Sequence, residues 1–259
     1  TTSLTPANLA TLGTGTISVS VQQSYGTGAS AISSPPSVTT DIAVQALPQP
    51  FVTGVGSAYT DNTVTWSEAA AGSANLNGNS VVNGATVTVT YTNTSNNVSV
   101  SQTNGAGVTV INGNNGLATW QATGLSAANM ATLGAGPLSI TVRQTIAGVS
   151  ASVVKTDNGS GNFSLAALDA PVITSAITGD DTISASEYGT GTISGTNNSS
   201  ASAVTVTFTN SATKAVVSKS ATVTGGTWSV PMLTGAEALA LGANKDGTTT
   251  IQVAASQTA

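Results

Sequence analysis

Few residues in this chain can do chemistry, and those few recur. Asp61 stands seven residues before Glu68, and Asp180, with Asp181 beside it, stands seven before Glu187. Asp169 lies a little upstream of the second pair. Carboxylates so placed can move protons, hold a hard cation, or close a turn by accepting backbone N–H groups. The first option finds no support, because the chain has no histidine and no cysteine. A nucleophilic site would then need a Ser-Lys pair or two converging carboxylates. The acids instead occupy repeat-equivalent places near linkers, so the protein reads as non-enzymatic. Gly13-x-Gly15 and Gly189-x-Gly191 lack the following helix that a phosphate loop requires.

The elements that must position these acids are themselves repeated. Leu9-Ala10-Thr11-Leu12-Gly13 returns as Met130-Ala131-Thr132-Leu133-Gly134, 121 residues on (134 minus 13), and more loosely as Leu239-Ala240-Leu241-Gly242, a further 108 (242 minus 134). Thr119-Trp120 and Thr227-Trp228 keep that second spacing, and Pro50-Phe51-Val52-Thr53 pairs with Pro171-Val172-Ile173-Thr174. Periods of this length are those of whole domains. The order predicts a complete unit over 48–168 and another over 169–259 that stops just after its last recognisable strand. Residues 1–47 read as the C-terminal part of a preceding unit, too short to close a core alone. Completion is expected from more of the same polypeptide or from a neighbouring subunit.

Period-2 alternation identifies the strands. Ala85–Asn93 and Ala203–Asn210 each alternate Val and an aromatic with Thr, one face to pack and one to meet water. Thr16–Val21, Leu138–Val142 and Thr250–Ala254 do the same, and Asn/Gly clusters punctuate them. The fold class expected is all-β: tandem immunoglobulin-like β-sandwiches with a short helical turn before the last strands. Thr5 and Ser126 read as N-caps of that turn and Gly13 and Gly134 as its stops. Its Leu or Met and final Leu should point into the end of the sandwich. Charged residues are only 6% of the chain and the five cations are scattered, which excludes a basic stripe for nucleic acid. No apolar run is long enough to span a bilayer. Six Asn-x-Ser/Thr sequons, Asn93 among them, are what chance yields in this composition.

In this order, the Pro-x-(Val/Ile)-Thr, Asp-(Asn/Asp)-Thr-(Val/Ile)-(Thr/Ser)-x-Ser-Glu, Val-Thr-Val-Thr…Asn, Thr-Trp and Leu-Gly motifs resemble the tandem bacterial immunoglobulin-like domains of large repetitive surface adhesins and biofilm-associated proteins. The resemblance implies a secreted, extracellular, rod-like stalk on the cell surface, whose partners are neighbouring repeats of the same or adjacent chains. It also implies Ca²⁺ at domain junctions, with Asp169, Asp180, Asp181 and Glu187 as ligands at one and Asp61 and Glu68 at the other. Such an ion needs six to eight oxygens. The competing reading makes the Asp residues Asx turns and the Glu residues turn acceptors. Trp120 and Trp228, equivalent in alternating strands, read as core. Trp66 faces Ala185 in the alignment, has no counterpart, and reads as a ligand or neighbour contact. Two alternatives to the stalk remain: a self-assembling surface-layer or filament subunit, suited by low charge, and a carbohydrate-binding module, which would need exposed aromatics. The calcium reading predicts that a chelator loosens the junctions and so changes the maximum dimension in small-angle scattering. The 169–187 junction should loosen more than the 41–68 one, and an unchanged dimension would count against a structural metal.

Overall fold

A computed structural model describes residues 4–27, 31–37, 40–174, 177, 183–184, 186–198, 201, 203–242 and 249–258. Its strands and short helices follow the alternation and the capping signals. The N-terminal segment holds α1 (Pro6–Leu12), β1 (Gly15–Val19), the two-stranded pair β2 (Ser24–Tyr25) and β3 (Ile32–Ser33), and β4 (Thr40–Val44). β1 pairs antiparallel with β4, Gly15 opposite Val44.

The central unit begins with β5 (Phe51–Val55), a 3-10 turn at Ser57–Tyr59, β6 (Thr63–Val64) and α2 (Trp66–Ala70). Then come β7 (Leu76–Val82), β8 (Thr86–Asn93), β9 (Val98–Asn104), β10 (Gly107–Asn112) and β11 (Leu117–Ala122). α3 (Ala127–Leu133) leads into β12 (Gly136–Ile146), β13 (Val149–Lys155) and β14 (Ser164–Leu165). Two layers face each other: β5-β7-β11-β10, and β9-β8-β12 with β13 and β14 on the far edge of β12. A short parallel contact between β9 and β10 joins them. The inward residues of both layers, with Val87, Val89 and Tyr91 facing Leu76, Val81 and Trp120, form one buried cluster. This is the expected all-β, sandwich-like architecture.

The next unit repeats the plan with fewer residues. It comprises β15 (Val172–Ile173), β16 (Thr192–Thr196), β17 (Ala203–Asn210), β18 (Val216–Ser220), β19 (Thr222–Thr224), β20 (Thr227–Pro231), α4 (Gly235–Ala240) and β21 (Ile251–Thr258). Its own buried cluster includes Ile193, Val206, Phe208 and Trp228. The helical turns sit before the last strands as expected. Met130 and Leu133 of α3 are buried, and in the looser third copy the inward positions are Ala238 and Leu241 while Leu239 faces solvent. The reason is the cap: counted from Thr234, Ala238 falls where Met130 falls from Ser126. One helix, α2, had no counterpart in the expected elements.

Each core is organised around a tryptophan laid over a glycine. A Cβ on Gly78 would lie 2.5 Å from Cε2 of Trp120 and would overlap the Phe51 carbonyl. On Gly195 it would lie 2.6 Å from the same atom of Trp228 and overlap the Val172 carbonyl. The indole N–H of Trp228 donates to Thr196 at 3.1 Å. Phe163 packs on Tyr59 with ring centroids 4.9 Å apart. Burial raises the phenol pKa values of Tyr59 and Tyr91 well above the ordinary range, so both rings serve the core as neutral groups. Gly78→Ala and Gly195→Ala should each cost about 3 kcal/mol, since backbone on one side and indole on the other leave no room to relax. In urea melts each substitution should lower the midpoint of its own unit and leave the other in place.

Candidate functional site

Three of the acids expected to hold metal, Asp61, Glu68 and Glu187, are bound up in local turns. Asp61 Oδ1 accepts the Thr63 N–H at 3.0 Å, an Asx turn leading into β6. Glu68 Oε2 accepts the Thr65 N–H at 2.9 Å and the Thr65 hydroxyl at 2.7 Å, while the Glu68 N–H returns to that hydroxyl. This is a capping box at the start of α2, each end satisfying a donor the helix leaves open. Glu187 Oε2 takes the Ser184 N–H at 2.7 Å and its hydroxyl at 2.6 Å in the same way. Glu237 closes the box of α4 with Thr234 and also meets Lys219 Nζ at 2.9 Å. Hydrogen bonding to Lys219 and Thr234 lowers the Glu237 pKa below the usual carboxylate value. α1 and α3 carry the box with Asn8 and Asn129 in place of Glu.

Asp169 enters through its backbone: its carbonyl accepts Gln257 Nε2. Asp180, Asp181 and Ala185 lie outside the described residues. Among the described residues no three of His, Cys, Asp and Glu come together as a metal cluster. Asp61, Glu68 and Glu187 each accept backbone N–H groups of their own turn. Trp66 is the second residue of the Thr65 box and only 6% exposed, and its indole N–H donates to the Ala166 carbonyl at 3.2 Å. It fastens α2 to the chain leaving β14, and a ring so covered offers no face for a sugar to stack on.

The residues that the repeats bring together are amides. Asn93, the last residue of β8, is fully buried, and its Nδ2 donates to the carbonyls of Leu133, Gly134 and Ala135 at 2.9, 3.1 and 3.0 Å. Its Oδ1 accepts the Ser95 N–H at 3.0 Å. Asn210, ending β17, repeats this: Nδ2 to Leu241 at 2.7 Å, Oδ1 from Ala212 and Thr213. Each Asn therefore closes the carbonyl end of the helix that precedes β12 or β21. Its burial also leaves the Asn93 sequon without an accessible amide in the folded unit.

A second amide holds each unit to its own linker. Gln144 Nε2 donates to the Pro48 carbonyl at 2.6 Å and to Ser80 at 3.1 Å, and its Oε1 accepts the Val82 N–H at 2.9 Å. Gln257, six residues after Ile251 as Gln144 is six after Leu138, grips the Asp169 carbonyl and accepts the Asn198 N–H at 3.1 Å. Pro48 and Asp169 are 121 residues apart, the repeat length (169 minus 48). The sequence signal was present: Gln144 falls in the apolar phase of β12, after Leu138, Ile140 and Val142, where a polar residue must find partners. A shallow cleft of about 330 Å³ lies beside the Pro48 linker, lined by Leu4, Leu9, Val44, Val82, Ile146 and Val149 among others.

Asn93→Ala should cost about 2 kcal/mol: it removes a fully buried amide that serves the Gly134 and Ala135 carbonyls and the Ser95 N–H, while the Leu133 carbonyl keeps Asn96 Nδ2 at 2.9 Å. Glu68→Ala should cost about 1 kcal/mol, the worth of one cap, and Glu68→Gln, which keeps the box, within about 0.5 kcal/mol of none. Urea melts with and without Ca²⁺ check this. A Glu68→Gln variant that loses stability only when calcium is present would return the carboxylate to the metal.

The chain matches no protein-family model, and no curated protein matches it significantly.

Proposed function

We propose that this chain is a non-enzymatic structural repeat region of a bacterial cell-surface adhesin or biofilm matrix protein, an extracellular scaffold acting by reach and stiffness. The observation that carries the reading is the pair of glutamines at the linkers. The strand that follows the short helix in each unit, β12 or β21, reaches back through Gln144 or Gln257 to the backbone carbonyl where that same unit begins. A linker tied at one end swings through a smaller range, and the same tie in consecutive units is what a stiff array requires. The resemblance to tandem immunoglobulin-like modules supports the extracellular setting. Calcium at the Asp169–Glu187 junction belongs to this proposal as a further brace. A self-assembling filament or surface-layer subunit is the second reading, favoured by the open edge of β1, which pairs with β4 alone among the described strands.

Small-angle scattering and sedimentation over a concentration series test the choice. A stalk predicts an elongated monomer at every concentration, with Gln257→Ala broadening the distance distribution while the particle stays monomeric. Growth of the particle with concentration, through chain contacts above roughly 1,000 Å², would establish the filament instead. An unaltered distribution in the Gln257→Ala chain would remove the linker tie from the argument.

A further inference from the structure

The N-terminal segment follows the second half of the central unit in its order of sequence landmarks and in the pairing at the start of β1. Gly15 opposite Val44 reproduces Gly136 opposite Leu165, each 121 residues on (136 minus 15, 165 minus 44). The Thr5 and Asn8 box corresponds to the Ser126 and Asn129 box, and Leu9, Leu12, Val19, Val21 and Gln23 to Met130, Leu133, Ile140, Val142 and Gln144. What covers the two sets differs. Met130, Leu133, Ile140 and Val142 are at most 1% exposed, whereas Leu9 is 37%, Leu12 51%, Val19 41% and Val21 68% exposed. β12 has β8 on one edge and β13 with β14 on the other, but β1 has β4 on the second edge and no described strand on the first. The central unit lies against only a corner of this face, at the cleft containing Leu4 and Leu9. An apolar face and a bare strand edge in one place form a template for strand addition.

From this, resting on the repeat reading above, we infer that α1 and β1 form an acceptor surface for the first half of a repeat unit, a partner with the chemistry of residues 48–124. The internal repeat specifies that partner. It carries a Val/Thr strand of the β8 type, whose inward Val and aromatic side chains cover Leu9, Leu12, Ile17 and Val19. That strand ends in Asn, whose amide takes the carbonyls of Leu12 and Gly13 as Asn93 takes those of Leu133 and Gly134. It brings a Thr-Trp strand to close the layer opposite. At its start it offers a backbone carbonyl to Gln23, as Pro48 does to Gln144. Recognition is thus by edge pairing, apolar cover and two amide-to-carbonyl locks, with no charged group required.

The test replaces Thr1–Ser3 with a second copy of residues 48–124, joined directly to Leu4, since Leu125 is the equivalent of Leu4 in the repeat (125 minus 121). Hydrogen exchange of the Gly15–Val19 amides should slow by about 100-fold or more relative to the original chain, as expected for amides moved from an open edge into a closed core. Binding of an apolar dye should fall in parallel. The same extension carrying Asn93→Ala at the copied position should lose most of that protection. Unchanged exchange in the extended chain would overturn the inference, as would an added copy whose tryptophan stays solvent-exposed. An original chain that sediments as a dimer with these amides already slow would overturn it too, because a second copy would then occupy the face. Unchanged exchange together with an elongated monomer in scattering would remove this acceptor surface and leave the scaffold reading standing.

Discussion

The buried asparagine at the end of the long Val/Thr strand is the interaction on which the rest of each unit depends. The short helix that precedes β12 or β21 is about two turns, too short to persist by its own hydrogen bonds. Its first turn is closed by the capping box, and the carbonyl of its final leucine, Leu133 or Leu241, lies buried at the end of the sandwich, where it needs a protein donor. Asn93 and Asn210 meet that need from the neighbouring strand with a donor group on one side of the amide and an acceptor on the other. Aliphatic side chains cannot do this, and a carboxylate would set charge against carbonyl oxygens. With the helix end held, Gly134 turns the chain through a φ of 72° and β12 starts in register beside β8, which bears the Asn; Gly242 has the equivalent φ of 74°, and β21 pairs with the Asn-bearing β17.

Register then decides the linker. Starting from Leu138 opposite Asn93, alternate residues of β12 face the core until the sixth along is Gln144, which arrives at the far end of the unit beside Pro48. A one-residue slip would send that amide to solvent and free the linker. Two polar side chains at opposite ends of a strand pair therefore connect the helix turn to the domain junction through nothing more than strand periodicity. Both are fully buried, and both are fully bonded, which is the condition under which a polar group in a core specifies one arrangement instead of weakening it.

Much of this was legible in the sequence. The strands were, because Thr-Val alternation has a single sensible reading, and so were the helical turns with Ser or Thr caps and Gly stops. The chemistry of the acids was harder. Thr65-x-x-Glu68 and Ser184-x-x-Glu187 have the spacing of a capping box, but their nearness to linkers drew attention to metal ligation, and α2 was missed with the box that starts it. Trp66, without a counterpart in the repeat, reads from sequence as a ligand or neighbour contact because the Ala166 carbonyl it meets lies 100 residues away in the chain. Gly78 was hidden for a different reason. Asn77-Gly78-Asn79 has the composition of a turn, yet it runs through the middle of β7 because Trp120 occupies the space a side chain would need.

The repeats also show why a chain with so little charge and so few aromatics can hold its shape. Each unit uses one tryptophan against one glycine, where the fit is set by backbone, and a few side-chain amides where backbone would otherwise go unpaired. Between these points the strands are free to vary, and they do: nine fewer residues separate Asn210 from Trp228 than Asn93 from Trp120 (18 against 27), taken from the strands and turns between them. Such a unit depends little on the identity of its outer face, which is mostly Thr, Ser and Asn here. A surface so interchangeable suits a module whose contribution lies in how it joins its neighbours, and the side chains with no interchangeable substitute, Asn93, Gln144 and their counterparts, are those that make the unit close and meet its linker.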